Sequence, residues 1–182
     1  MKGSFVVEAI KKIYPEIKGG FTYWETDFDG TEWKNLADGL KWENLDFERP
    51  TWDLILAKKS ELELSEKKLA KCREINAQRD LNISKNISHQ VQGQAYSFQR
   101  SITSQLAWIN AVESMEDIAL ENWVTADNQI ISLSKQDLIS ICRHIRFRDT
   151  TEVIQARKRK DAVNALSSIE EVESYDITQI YD

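Results

Sequence analysis

A chain of 182 residues and 21.1 kDa is long enough to bury a core without disulfide scaffolding. With 41% hydrophobic and 30% charged residues but only 6 Gly and 2 Pro, its composition excludes low-complexity, collagen-like and globally disordered chains. The net charge of -6 disfavours general nucleic-acid affinity, no apolar run approaches the roughly 18 residues of a membrane span, and Met1-Lys2-Gly3-Ser4 opens a poor signal peptide.

Synthesis in a reducing cytoplasm is therefore expected, with Cys72 and Cys142 as free thiols, since two cysteines so far apart frame neither a disulfide nor a metal site. The segment from Phe5 to Ile13 places Phe5, Ala9 and Ile13 at helical spacing beside Val6 and Ile10, and Pro15 ends it. After Gly19-Gly20 the pattern changes to Phe21, Tyr23, Trp24, Trp33 and Trp42 punctuated by Asp29-Gly30 and Asp38-Gly39, which predicts short strands and tight turns. Asp29 to Leu36 recurs as Asp38 to Leu45 with Asp, Gly, Trp, Asn and Leu in register. Two copies are too few for a solenoid and read as paired turn units. Trp24, Trp33, Trp42 and Trp52 crowd into the first third, either as the core of a small module or as an aromatic platform for a protein or sugar.

Thr51 is placed to cap a helix from Trp52 to about Arg79, with Asp53 in its first turn. Ile55, Leu62 and Leu69 fall seven apart on it, which fits either an intramolecular core face or a coiled-coil seam between copies. Gln92-Gly93-Gln94 reads as a turn between two short strands. The next helix, from Ser97 or Gln99 to Glu113, carries Ile102, Leu106, Ile109 and Val112 on the face expected to be core. A β-hairpin follows near residues 122–133, turning at Asp127-Asn128. Ser134 and Asp137 then form an Asp variant of the capping box. The long helix they start carries Leu138, Ile141, Cys142 and Ile145, then Val153, Ala156, Val163 and Leu166, with a potential break at Phe147 to Thr150. The acidic end offers Val172, Tyr175, Ile177 and Ile180 as docking residues. The expected fold is α+β and mainly helical: a small Trp-rich, β-containing module over 1–57, then long helices with a short hairpin over 58–182.

Chemical signatures are missing: the chain has no phosphate-binding Gly-rich loop, nucleophile elbow, His-Glu-x-x-His or Cys-x-x-Cys. Cys142 and His144 stand two apart on a helix and point to different faces, which reads as a buried thiol beside an exposed imidazole, and His89 lies in a polar stretch with no nearby ligand partner. No catalytic, cofactor-binding or metal-binding residue is expected. Residues 135–160 hold 8 Lys/Arg against 3 Asp/Glu, whereas 161–182 hold 6 acids and no base. Arg157-Lys158-Arg159-Lys160 spans every side of a helix, so at least one cation turns inward or toward a neighbouring chain. A solvated or intersubunit face and a nucleic-acid contact are both open to it.

Trp123-Val124-Thr125-Ala126-Asp127-Asn128, the following Ile130, Ile131 and Leu133, then Ser134, Leu138, Ala156-Arg157, Lys160, Ile169-Glu170-Glu171-Val172 and Tyr175-Asp176-Ile177 together carry a resemblance. Over roughly residues 58–182, with Gly93 and Phe98 as its turn and aromatic positions, the chain resembles a domain of unknown function found in tail and tail-fibre-associated proteins of tailed bacteriophages. The first 57 residues are similar to the small module that precedes such domains in tail-fibre assembly proteins. The resemblance implies a non-enzymatic virion protein, made in the host cytoplasm and contacting a phage tail or tail-fibre protein, or else a chaperone of fibre assembly. A small nucleic-acid-binding regulator is the alternative from another class. Candidate contact residues are Trp24, Trp33, Trp42, Trp52, Ile55, Leu62 and Leu69, the last three also serving a homo-oligomer.

Overall fold

A computed structural model describes residues 5–23, 40–44 and 46–182. The elements are α1 (Phe5–Ile13), β1 (Phe21–Tyr23), β2 (Leu40–Trp42), α2 (Trp52–Ser84), β3 (Ile87–Val91), β4 (Gln94–Phe98), α3 (Ile102–Ser114), β5 (Leu120–Val124), β6 (Ile130–Ser134), α4 (Lys135–Ala165) and α5 (Ile169–Ser174). This is the mainly helical α+β fold that the periodicities predict, its described strands paired as three two-stranded antiparallel sheets. The described residues up to Ala70 form one compact unit with Leu166–Ser174, and Lys71–Ala165 form a second with Tyr175–Asp182. The sequence-based division at 57/58 falls within α2.

In the first unit, α1 buries Val6, Ala9 and Ile10 along one face, against Ile17, Leu40 and Ile55. Phe21 pairs with Trp42 and Tyr23 with Leu40 across β1 and β2. The second copy of the nine-residue repeat supplies β2. Its first copy, with Trp24 and Trp33, lies outside the described residues. Trp42 stacks on Phe21 at 5.7 Å and donates its indole N–H to the Phe47 carbonyl at 3.1 Å, while Trp52 packs near Tyr23 at 6.3 Å. The heptad stripe divides: Ile55 is fully buried in this core, Leu62 packs against it, and Leu69 is 53% exposed. Thr51 caps α2 through the Leu54 N–H. The helix continues past Arg79 to Ser84 because no Gly or Pro stops it.

Two backbone details in this unit yield predictions. Gly20 has φ +81°, and a Cβ there would meet Asn44 Cβ at 2.8 Å and Asn44 Cα at 2.9 Å, where Glu43 N–H donates to the Gly20 carbonyl. Gly20→Ala should therefore cost about 1–3 kcal/mol, read as a lowered denaturant midpoint. An unchanged midpoint would refute the strain. At α5, the Ser167 and Ser168 N–H groups donate to Glu171 Oε2 at 2.9 and 3.0 Å, and the Glu171 N–H returns to Ser168 Oγ. Those backbone donors hold the Glu171 carboxyl below the ordinary glutamate range. A depressed carboxyl contributes stability above its unfolded value and loses it as pH falls through the folded one. The Ser168 amide shift should accordingly titrate below the usual glutamate range, with α5 fraying there; a midpoint at or above that range contradicts the cap.

The second unit is built on two hairpins and two helices. Gln92 and Gly93, both at positive φ (50° and 83°), make the two-residue turn that pairs Val91 with Gln94. The later hairpin turns over residues 125–129 rather than at a two-residue Asp-Asn step: Val124 pairs with Ile130, Asn128 takes φ 61°, and buried Thr125 accepts the Gln129 N–H on its hydroxyl. Ser134 and Asp137 form the expected reciprocal cap, Asp137 Oδ2 receiving the Ser134 N–H at 3.0 Å. No break interrupts α4 at 147–150; Phe147 simply points outward.

α3 starts at Ile102 rather than at Ser97 or Gln99, because β4 runs to Phe98, and of the face expected to be core Val112 packs against the core while Leu106 and Ile109 do not lie on its most buried side. Trp108, Ala111 and Met115 are buried, whereas Leu106 is 55% and Ile109 48% exposed. The helix is apolar on two sides, and Trp108, the largest side chain, takes the core position, edge-on to Phe98 and beside Trp123 at 6.0 Å each. Ile87, Val91, Leu133, Leu138, Ile141 and Ile145 complete this core. The 175–182 segment lies along α4 through backbone bonds: Gln155 exchanges two with Tyr181, and buried Arg159 donates to the Gln179 carbonyl at 2.6 Å. Ile180, expected to dock, is exposed, and Tyr181 takes that part, its hydroxyl 2.7 Å from that of Tyr175.

Candidate functional site

Antiparallel placement of α3 and α4 leaves a groove between them. Two adjoining depressions of about 380 and 250 Å³ share Ile109, Cys142 and Arg146. Trp108, Val112, Ile139 and Ile145 extend the apolar floor. Cys142 is half-buried, and that burial pushes its thiol up, toward the neutral form. Glu113, Arg143 and Arg146 edge the groove with neither hydrogen bond nor ion pair among the described residues. Asp149 also lines it and holds Arg100, whose side chain is fully buried. Arg100 Nε and Nη1 and Trp108 Nε1 have no hydrogen-bond partner among the described residues.

A second apolar surface is the outward side of the β5–β6 hairpin. Strand alternation turns Glu121, Trp123, Ile131 and Leu133 inward and leaves Leu120, Val124 and Ile130 exposed, Val124 directly opposite Ile130. A two-stranded hairpin with one uncovered apolar face offers both contact area and open strand edges.

The third feature was missed by the sequence reasoning. The chain's two histidines meet: His89 Nδ1 lies 3.1 Å from His144 Nδ1, and His89 Nε2 lies 3.1 Å from Ser140 Oγ. His89 is thus not without a partner, and the His144 ring is half-buried rather than exposed. The signal was the alternation Ile87-Ser88-His89-Gln90-Val91, which puts His89 between two buried residues on the inward face of β3. Ser140 and His144 are one turn apart on α4 and face it together. Burial and the His144 ring hold His89 below the ordinary imidazole range, with Asp137 pulling the other way. The serine–histidine–histidine chain can relay a proton, but Ser140 sits inside α4, where its backbone N–H is engaged in the helix and offers no oxyanion donor.

Of the contact residues expected from sequence, Trp42, Trp52, Ile55, Leu62 and Leu69 all belong to the first unit, where all but Leu69 pack in or against its core. The structure brings none of them to the groove. In the basic run Arg159 turns inward, as four consecutive helical cations require; Arg157 pairs with Asp161, and Lys158 bonds the Asp182 main-chain oxygen. No helix among the described residues is long and apolar enough to cross a membrane.

No curated protein and no solved structure matches the chain. Residues 66–179 match the family described as Domain of unknown function (DUF4376), a span that takes in the histidine pair, the β3–β4 and β5–β6 hairpins and the α3–α4 groove. Because that match covers more than half of the sequence, the chain belongs to the DUF4376 family.

Proposed function

We propose that the chain is a non-catalytic structural component of a bacteriophage tail, held to the tail fibre or baseplate by protein–protein contacts. The phage assignment rests on the sequence resemblance over residues 58–182. The contact role is carried by one observation: the α3–α4 groove presents Ile109 to solvent, with exposed Leu106 beside it on α3, and Glu113, Arg143 and Arg146 at its edge have no side-chain partner among the described residues. Exposed apolar surface rimmed by unsatisfied charges is what a desolvated contact with electrostatic register needs. A tail-fibre assembly chaperone would use the same surface, and self-association would use it between copies. A nucleic-acid role draws less support, since Arg159 is buried and Arg157 and Lys158 are engaged.

Mass spectrometry of purified particles of a phage that encodes the chain tests the reading. A fixed copy number in intact virions is expected. Absence from virions, together with a raised yield of soluble fibre on co-expression, would replace the tail-component reading with the chaperone.

A further inference from the structure

We propose that His89 and His144 form a two-imidazole site for a divalent transition ion of the imidazole-preferring class, such as Zn²⁺. The two ring nitrogens that meet, 3.1 Å apart, stand at about the separation of two nitrogens on one tetrahedral Zn²⁺, roughly 3.3 Å for bonds of about 2.05 Å. They are the only histidines of the chain, 55 residues apart in sequence, and β3 and α4 bring the same nitrogen of each ring to one point. Ser140 completes the arrangement. With His89 Nε2–H donating to Ser140 Oγ, the His89 lone pair is fixed on Nδ1, as a hydrogen bond from the outer ring nitrogen orients a metal-bound histidine. In the metal-free protein His144 Nδ1–H donates to that lone pair; on binding, His144 carries its proton on Nε2 instead, exchanged through water, and both Nδ1 lone pairs face the ion. Both histidines are half-buried rather than enclosed in the core. Among the described residues no third His, Cys, Asp or Glu is placed to join the two imidazoles on an ion, so the remaining coordination positions would belong to water or to a ligand from another molecule.

Zn²⁺ titration of the full chain, followed by imidazole nitrogen NMR and calorimetry, tests the site. Saturation near one equivalent is expected, with both rings shifting together. His89→Gln and His144→Gln should each weaken binding by more than the roughly tenfold expected for Ser140→Ala, while melting as folded proteins. Cys72→Ser with Cys142→Ser should bind as the wild type does. Absence of saturable binding would overturn the proposal. So would binding that survives removal of both histidines, or that depends on the cysteines instead.

Discussion

Trp108→Ala will remove about 3–5 kcal/mol from the second unit, a large share of the roughly 5–15 kcal/mol that a domain has in total. Only 2% of this residue is exposed, and it joins Phe98 from β4 to Trp123 from β5, so truncation opens a cavity between both hairpins and α3. Trp108→Phe will cost much less, because it keeps the aromatic packing and deletes an indole N–H that lacks an acceptor among the described residues. Urea denaturation of the two variants measures the difference; an alanine variant within about 1 kcal/mol of wild type would show that Trp108 is not the keystone of this core.

Asp149→Ala will be comparably damaging for an electrostatic reason. The Arg100 side chain has no exposed surface and its one ion pair among the described residues is with Asp149, whose own side chain is 27% exposed. Removing the carboxylate leaves a buried guanidinium without a counter-charge, a loss of about 3–5 kcal/mol where such pairs are broken one-sidedly. The double replacement Arg100→Met with Asp149→Leu should recover most of that loss, since it removes the charge together with two unpartnered nitrogens. A double variant as unstable as Asp149→Ala would mean that the acid acts by packing rather than by charge.

The features legible in the sequence are those decided within a few residues. Thr51 and the Ser134–Asp137 pair mark helix starts because a cap needs only a side-chain oxygen near a free N–H, and Gly93 marks a turn because it accepts positive φ. Choices between two apolar faces were not legible. Leu106 and Ile109 have the periodicity of a core, but Trp108 buries more area from the other side of α3. The Ile55, Leu62 and Leu69 stripe likewise follows one spacing yet ends at an exposed Leu69, because spacing alone does not say how far the packed partner extends. The histidine pair was half visible: alternation around His89 gives its face, but nothing local says which α4 residue will stand opposite. The Arg100–Asp149 pair left no local signature, since 49 residues separate its members.

The proposed attachment runs through the exposed face of α3, with Ile109 in the α3–α4 groove and Leu106 beside it. The most direct measurement is the amount of a Leu106→Glu, Ile109→Lys double variant in purified phage particles, beside its melting curve. The substitutions fall on exposed helical positions, so the protein should melt close to wild type and yet be missing from the particles. A folded variant present at the wild-type copy number would contradict the account.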